Sequence, residues 1–228
     1  LVFKANAPST PGLARLMATM TDLDIQGGLG GSIMLATGSA LSDFEIELGV
    51  NLAETSIEVP SIGWVKLPAE PGKASMRLVL ENGQPVAIED IDIEAGSLAV
   101  IGRASLGPSA GNGPTVTAAS FRRLAWPGND IGMLELSRDV NGEWLITAEA
   151  ELIDLVPLRR NRGLGKGRPV SFDIVAQKII VGDGISLSGH ISGNKKSAGG
   201  GEASFSGNLN HRNKTLISEG EMQMSFGQ

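Results

Sequence analysis

"SMRLVLENGQPVAIEDIDIEAGSLAVIGRASL", residues 75–106, decides the fold class. Met76, Leu78 and Leu80 recur at every second position, which is the period of a strand with one buried and one wet face. Asn82-Gly83 follows, the dipeptide that best suits a two-residue hairpin turn. The chain then resumes with Ile91, Ile93 and Ala95 set against Asp90, Asp92 and Glu94. Ile88 and Ile91 stand three apart, so the phase slips by one residue there and predicts a bulge.

The same period runs outward in both directions. "SIMLATG" (32–38), "FEIELGV" (44–50), "GMLELSRDVNGEWLITAEAEL" (132–152), "SFDIVAQKIIV" (171–181), "ISLSGHISG" (185–193), "EASFSGNLN" (202–210) and "EGEMQMSFG" (219–227) all alternate. Turn chemistry separates them, with further hairpin signals at Asn141-Gly142 and Asp183-Gly184. The fold class is therefore mainly β, a long antiparallel meander. One helix is expected near the start. In "STPGLARLMATMTDL" (9–23), Ser9 or Thr10 is placed to cap, Pro11 to open the first turn, and Leu13, Leu16, Met17 and Met20 to form one apolar stripe.

The meander must cover its apolar face, which includes Ile46 and Leu48, the Met76 and Ile91 runs, Leu98 and Val100, and Leu134 and Leu136. It can do so as a sandwich, as a closed barrel, or as an open groove occupied by something other than protein. Periodicity does not choose among the three.

Composition narrows the chemistry. The 228 residues suffice for a sizeable core, yet there are six Phe, three Trp and no Tyr, so the apolar mass is aliphatic. A net charge of −6 argues against a general nucleic-acid surface. With no cysteine, thiolate metal sites, disulfides and Cys nucleophiles are excluded. No apolar run is long enough for a membrane-spanning helix and no signal peptide is evident. The opening "LVFKANAPST" reads as an internal start, with any anchor lying in a preceding part of the chain.

Catalytic motifs do not assemble. "GLGKG" (163–167) lacks the Ser or Thr of a phosphate loop, since Arg168 stands in that place. His190 and His211 have no paired metal spacing. Asp90, Asp92 and Glu94 share one strand face, as the wet side of a sheet does. Asp130, Asp139 and Asp154 have no well-placed histidine to complete a triad. Asn213-Lys214-Thr215 matches a glycosylation sequon. No cofactor and no metal site are expected.

"LRRNRGLGKGRP" (158–169) interrupts the strands with Arg159, Arg160, Arg162, Lys166 and Arg168 among glycines. It reads either as a solvated connection or as a contact for anionic headgroups or a partner. At "SIGWVKLPAEPGK" (61–73), Trp64 is expected to cover the end of an apolar row. Lys66 is expected to keep its charge in solvent, and Pro68 with Pro71-Gly72 to turn the chain.

Two blocks together are familiar: "FEIELGVNLAETSIEVPSIGWVKLPAEPGKASMRLVLENG" (44–83) with "IEDIDIEAGSLAVIGRASL" (88–106), and "FRRLAWPGNDIGMLELSRDVNGEWLITAEAELIDLVPLRR" (121–160). They resemble a module of large bacterial envelope proteins of the AsmA-like superfamily, YhdP-type branch. "PGLARLMATMTDLDIQGG" (11–28) is similar to the segment between such modules. The resemblance covers about residues 10–160 and rests mostly on the Gly63-Trp64-Lys66 corner and Asp154-Leu155. It brings no catalytic residue.

The resemblance implies a meander curled into an open hydrophobic groove, in the periplasmic portion of an inner-membrane-anchored protein that moves phospholipid toward the outer membrane. The implied organisation is a linker (1–28), a β-groove module (29–157), the basic loop (158–169) and further strands of the same sheet (170–228). Phospholipid is the expected partner, with envelope proteins as further partners and no nucleic acid. Ile46, Leu48, Met76, Leu78, Leu80, Ile91, Ile93, Leu98, Val100, Leu134 and Leu136 would line the groove.

Overall fold

A computed structural model of the chain describes residues 2–10, 24–37, 42–108, 114–157, 169–182, 184–196, 200–212 and 214–226. The helix expected within 9–23 falls outside these from residue 11 to 23. So do the five basic residues Arg159, Arg160, Arg162, Lys166 and Arg168, and Asn213 of the sequon.

The described residues are mainly strand. The first nine strands are β1 (Val2–Thr10), β2 (Asp24–Gly27), β3 (Leu29–Thr37), β4 (Phe44–Asn51), β5 (Thr55–Val59), β6 (Trp64–Lys66), β7 (Gly72–Glu81), β8 (Gln84–Ala95) and β9 (Leu98–Gly107). They are followed by β10 (Thr115–Trp126), β11 (Asn129–Arg138), β12 (Trp144–Asp154), β13 (Val170–Gly182), β14 (Ile185–Lys195), β15 (Gly201–His211) and β16 (Lys214–Phe226). Thirteen of them form one sheet in the order β1-β3-β4-β7-β8-β9-β10-β11-β12-β13-β14-β15-β16, and β2-β5-β6 form a second. The order is open, with β1 and β16 at its two ends, so the sheet is not closed into a barrel.

One expectation about direction is corrected. β12 and β13 run parallel, with Trp144 opposite Val170 and Asp154 opposite Ile180, so the meander is mostly rather than wholly antiparallel. A parallel neighbour requires the chain to travel back along the strand, which takes about a dozen residues or more. The chain divides into two compact units, Leu1–Ala119 with Ala125–Pro127, and Ser120–Leu124 with Gly128–Gln228. The division falls within β10.

In the first unit the register gathers the aliphatic residues on one face. Ile33 lies opposite Leu48 and Leu35 opposite Ile46. Ile46 in turn faces Leu78, and Leu48 faces Met76. Leu78 meets Ile88, and Ile93 meets Val100. The row stays in phase across β8 because of a bulge. Between Glu89 and Asp92 the strand carries one residue more than its partner does between Arg77 and Ser75. Asp90 takes a positive φ of 52° at that point. Cross-strand neighbours on one face are the units of sheet stability, so this continuous aliphatic surface both forms the sheet and needs covering.

The second unit repeats the pattern with a crease. Ala150, Ala176, Gly189, Gly207 and Gly220 stand opposite one another from β12 to β16. Gly189 (φ 138°) and Gly207 (φ 148°) hold conformations foreign to L side chains, and a Cβ on either would collide with the neighbouring strand's backbone. Larger apolar residues flank the column, among them Ile179 and Phe205, both buried.

Candidate functional site

The corner at residues 60–72 shows how the first unit's apolar face is bounded. Pro60–Ile62 form one 3-10 turn, closed by Gly63 in the left-handed conformation (φ 65°, ψ 30°) with its N–H on the Pro60 carbonyl. That turn starts β6, in which Trp64 and Lys66 point one way and the exposed Val65 the other. Trp64 is 2% exposed and packs with Ile25, Leu29, Leu52, Ile57 and Ala95, against which Val50, Ala74, Ile93, Leu98 and Trp126 lean. Its Nε1 donates to Ser97 Oγ (3.2 Å), in the turn between β8 and β9. Trp64 thus covers the end of an apolar row, as expected.

Lys66 is the correction. It is 0% exposed, not solvated. Its Nζ donates to the carbonyls of Thr55 and Leu67, each at 3.0 Å. Burial holds its pKa below the ordinary lysine value, and the nearby Glu70 carboxylate partly opposes that shift. The stem is admitted because Gly72 has no side chain: a Cβ there would lie 2.7 Å from Lys66 Cε.

Of the expected turn residues, Pro68 turns the chain and Pro71-Gly72 do not: the turn is centred on Pro68-Ala69. Glu70 N–H donates to the Leu67 carbonyl (3.3 Å), and Ala69 takes φ 70°. This is a type II turn with Pro at its second position. Ala69 N–H is anchored on the Ala53 carbonyl (2.8 Å) and Glu70 Oε2 accepts Leu67 N–H (3.0 Å). Gly72 instead opens β7, where its value is the space it leaves for Lys66.

Beyond this covered end the face is open to different degrees. Ile46, Leu48, Met76, Leu78, Leu80, Ile91, Ile93, Leu98 and Val100 all belong to the first unit and are all partly buried. Ile33 is 41% exposed and Phe3 63%. The structure therefore sorts the expected residues. Ile93 and Leu98 lie against the Trp64 cluster, whereas Ile46, Leu48, Met76 and Leu78 lie in the rows beyond it. Leu134 and Leu136 belong to the second unit, opposite Ala148 and Ile146. Sequence reading missed Ile33, Leu35 and Ile88 as members of this face. In "SIMLATG" both parities are apolar at Ile33, Met34 and Leu35, so alternation alone gives no side.

The other face of the first unit is charged. Arg77 binds Asp90 Oδ2 through Nε and Nη2 (both 3.0 Å), Glu89 at 2.6 Å and Glu45 at 3.5 Å. Lys73 pairs with Glu94 at 3.1 Å. Two of the three acids of the 90–94 run are thus engaged with cations, in the arrangement of a wet sheet face. A depression of about 360 Å³ is bordered by Lys4, Glu47, Arg77 and Asp90 and also by Leu48 and Met76.

The remaining candidates are dispersed. Asp139 caps a hairpin, accepting N–H bonds from Asn141 and Glu143 (2.8 Å each); the Glu143 N–H is the main cause that lowers its pKa. Asp154 accepts the Val156 N–H (2.9 Å). His190 Nε2 lies 2.9 Å from Asp173 Oδ1 on a solvent-facing strand pair. Among the described residues, no group of His, Asp or Glu is placed to hold a metal ion, and no helix is long and apolar enough to cross a membrane. No family model, curated protein or solved structure matches the chain.

Proposed function

We propose that the aliphatic face of the first unit binds the acyl chains of phospholipids. The observation that carries this reading is a continuous row of Ile, Leu and Met across β3, β4, β7 and β8 that stays partly exposed beyond the Trp64 cluster. An apolar surface of that extent on a folded chain marks an interaction site. Acyl chains suit it because the lining is aliphatic, with no polar group required inside. Each buried methylene contributes about 0.8 kcal/mol, or ~12 kcal/mol for a sixteen-carbon chain.

The resemblance to AsmA-like envelope proteins extends the proposal. The chain would be the periplasmic portion of an inner-membrane-anchored protein, offering phospholipid a passive path between inner and outer membranes without chemistry.

Native mass spectrometry of the protein as purified tests the core of it. Adducts at phospholipid masses, displaced by added fatty acid, are expected. Reproducible absence of such adducts, with no uptake of a fluorescent fatty acid, would sink the proposal.

A further inference from the structure

The layer formed by β2, β5 and β6 covers one end of the first unit's apolar face. We infer that it is a fixed wall which withholds Val50, Ala74, Ile93 and Leu98 from any ligand, and that Trp64 and Lys66 are the residues that position it. The consequence for ligands rests on the acyl-chain reading; the wall itself does not.

Four observations converge on this assignment. Trp64 and Lys66 stand two apart on one side of β6, and both are buried, whereas Val65 and Leu67 on β6 and just beyond it are exposed. Trp64 reaches out of its own layer, with its indole N–H on Ser97 of the main sheet's β8–β9 turn. The Lys66 stem fills the place where Gly72 of β7 has no Cβ, whereas a Cβ at Gly96 of the β8–β9 turn would first meet the Glu70 carboxylate at 2.9 Å. The Lys66 ammonium is tied to the carbonyls of Thr55 and Leu67, both belonging to the covering layer.

Lysine is suited to this place in a way that leucine is not. Its stem supplies apolar filling over Gly72, while its head donates to the Thr55 carbonyl and to the Leu67 carbonyl, which also accepts the Glu70 N–H. The layer is thereby stiffened from within and seated by shape. The aliphatic band left for a ligand begins at the Leu48–Met76 row.

The absence of cysteine from the sequence makes single-cysteine probes clean. In the otherwise unaltered protein, Leu78→Cys should react with a soluble maleimide at least ~10-fold faster than Ile93→Cys, since local opening must precede reaction at a covered site. Ala176→Cys, at a buried position of the second unit, serves as a control for global unfolding. Adding Lys66→Met, or separately Gly72→Ala, should accelerate Ile93→Cys by ~10-fold or more while Ala176→Cys is unchanged. Equal rates at Leu78→Cys and Ile93→Cys would overturn the wall. Parallel acceleration at Ala176→Cys would overturn the positioning role of Lys66, because it reports general destabilisation.

Repeating the measurement with vesicles of phosphatidylethanolamine and phosphatidylglycerol separates the two readings. Protection of Leu78→Cys with no change at Ile93→Cys is the expected result. No protection at Leu78→Cys counts against acyl binding and leaves the wall standing. Protection of Ile93→Cys in the unaltered background, to the same extent as Leu78→Cys, counts against the wall.

Discussion

Lys66 holds its ammonium among Thr55, Leu67 and Glu70 with no exposed surface, so removing the head group takes a donor from the Thr55 carbonyl and leaves the Leu67 carbonyl with the Glu70 N–H alone. Lys66→Met keeps most of the stem and should cost about 1–3 kcal/mol, read as a lower midpoint in urea. Its pH signature has a definite sign. The folded-state pKa is lowered, so the folded chain holds this proton more weakly than the unfolded chain does. The penalty is present while Lys66 is protonated in the folded state. It is relieved as pH rises from the lowered value toward the ordinary one. Stability of the wild type relative to Lys66→Met should therefore increase with pH across that alkaline window; a flat or falling difference would contradict a desolvated ammonium. The placement was half legible in the sequence. Trp64 and Lys66 share a parity, so a buried Trp64 already placed Lys66 on the same side. The habit of lysine to lie in water hid this, because the two carbonyls that receive it come from Thr55 and Leu67 and no local pattern announces them.

At the scale of elements, turn chemistry and phase were readable because both are local. Asn82 and Gly83 take φ of 50° and 73°, as a type I′ hairpin requires. A Cβ at Gly83 would meet nothing within 4 Å, so Gly83→Ala isolates backbone strain. It should cost about 1–2 kcal/mol, measurable as a drop in thermal midpoint with no change in ligand adducts. The slip between Ile88 and Ile91 is a bulge, and its effect on the faces is testable. Deleting Asp90 removes the extra residue and leaves Ile88, Glu89, Ile91, Asp92 and Ile93 in strict alternation, so the three isoleucines stay on one face and Arg77 loses its Asp90 partner. The deletion variant should keep wild-type solubility and hydrophobic-dye binding; a marked rise in dye binding would mean that the bulge itself, and not the alternation, sets the register. The parallel pairing of β12 and β13 was not legible. Alternation specifies which side chains share a face, but it is blind to strand direction, which shows only in the pairing of residues as distant in sequence as Trp144 and Val170.

At the scale of the whole molecule, the difference between an open face and a closed core can be read from two substitutions that the sequence alone ranks as equals. Leu78 and Ile93 share one face and one alternation, and both are partly buried. Only the structure separates them, because Ile93 leans on the cluster around Trp64 while Leu78 lies in the rows beyond. A carboxylate at position 78 can turn toward water, so Leu78→Glu should keep the denaturation midpoint within ~0.5 kcal/mol of wild type, as surface changes do. The same variant should lose phospholipid adducts in native mass spectra, since a charge on the floor of an acyl path repels the chain. Ile93→Glu drives its charge under the covering layer and should destabilise by several kcal/mol, roughly 3–5, as an uncompensated buried charge does. A core sealed on all sides would respond alike at both positions. Equal and severe unfolding by Leu78→Glu would therefore mean that this face is covered by protein, and acyl binding would lose its surface.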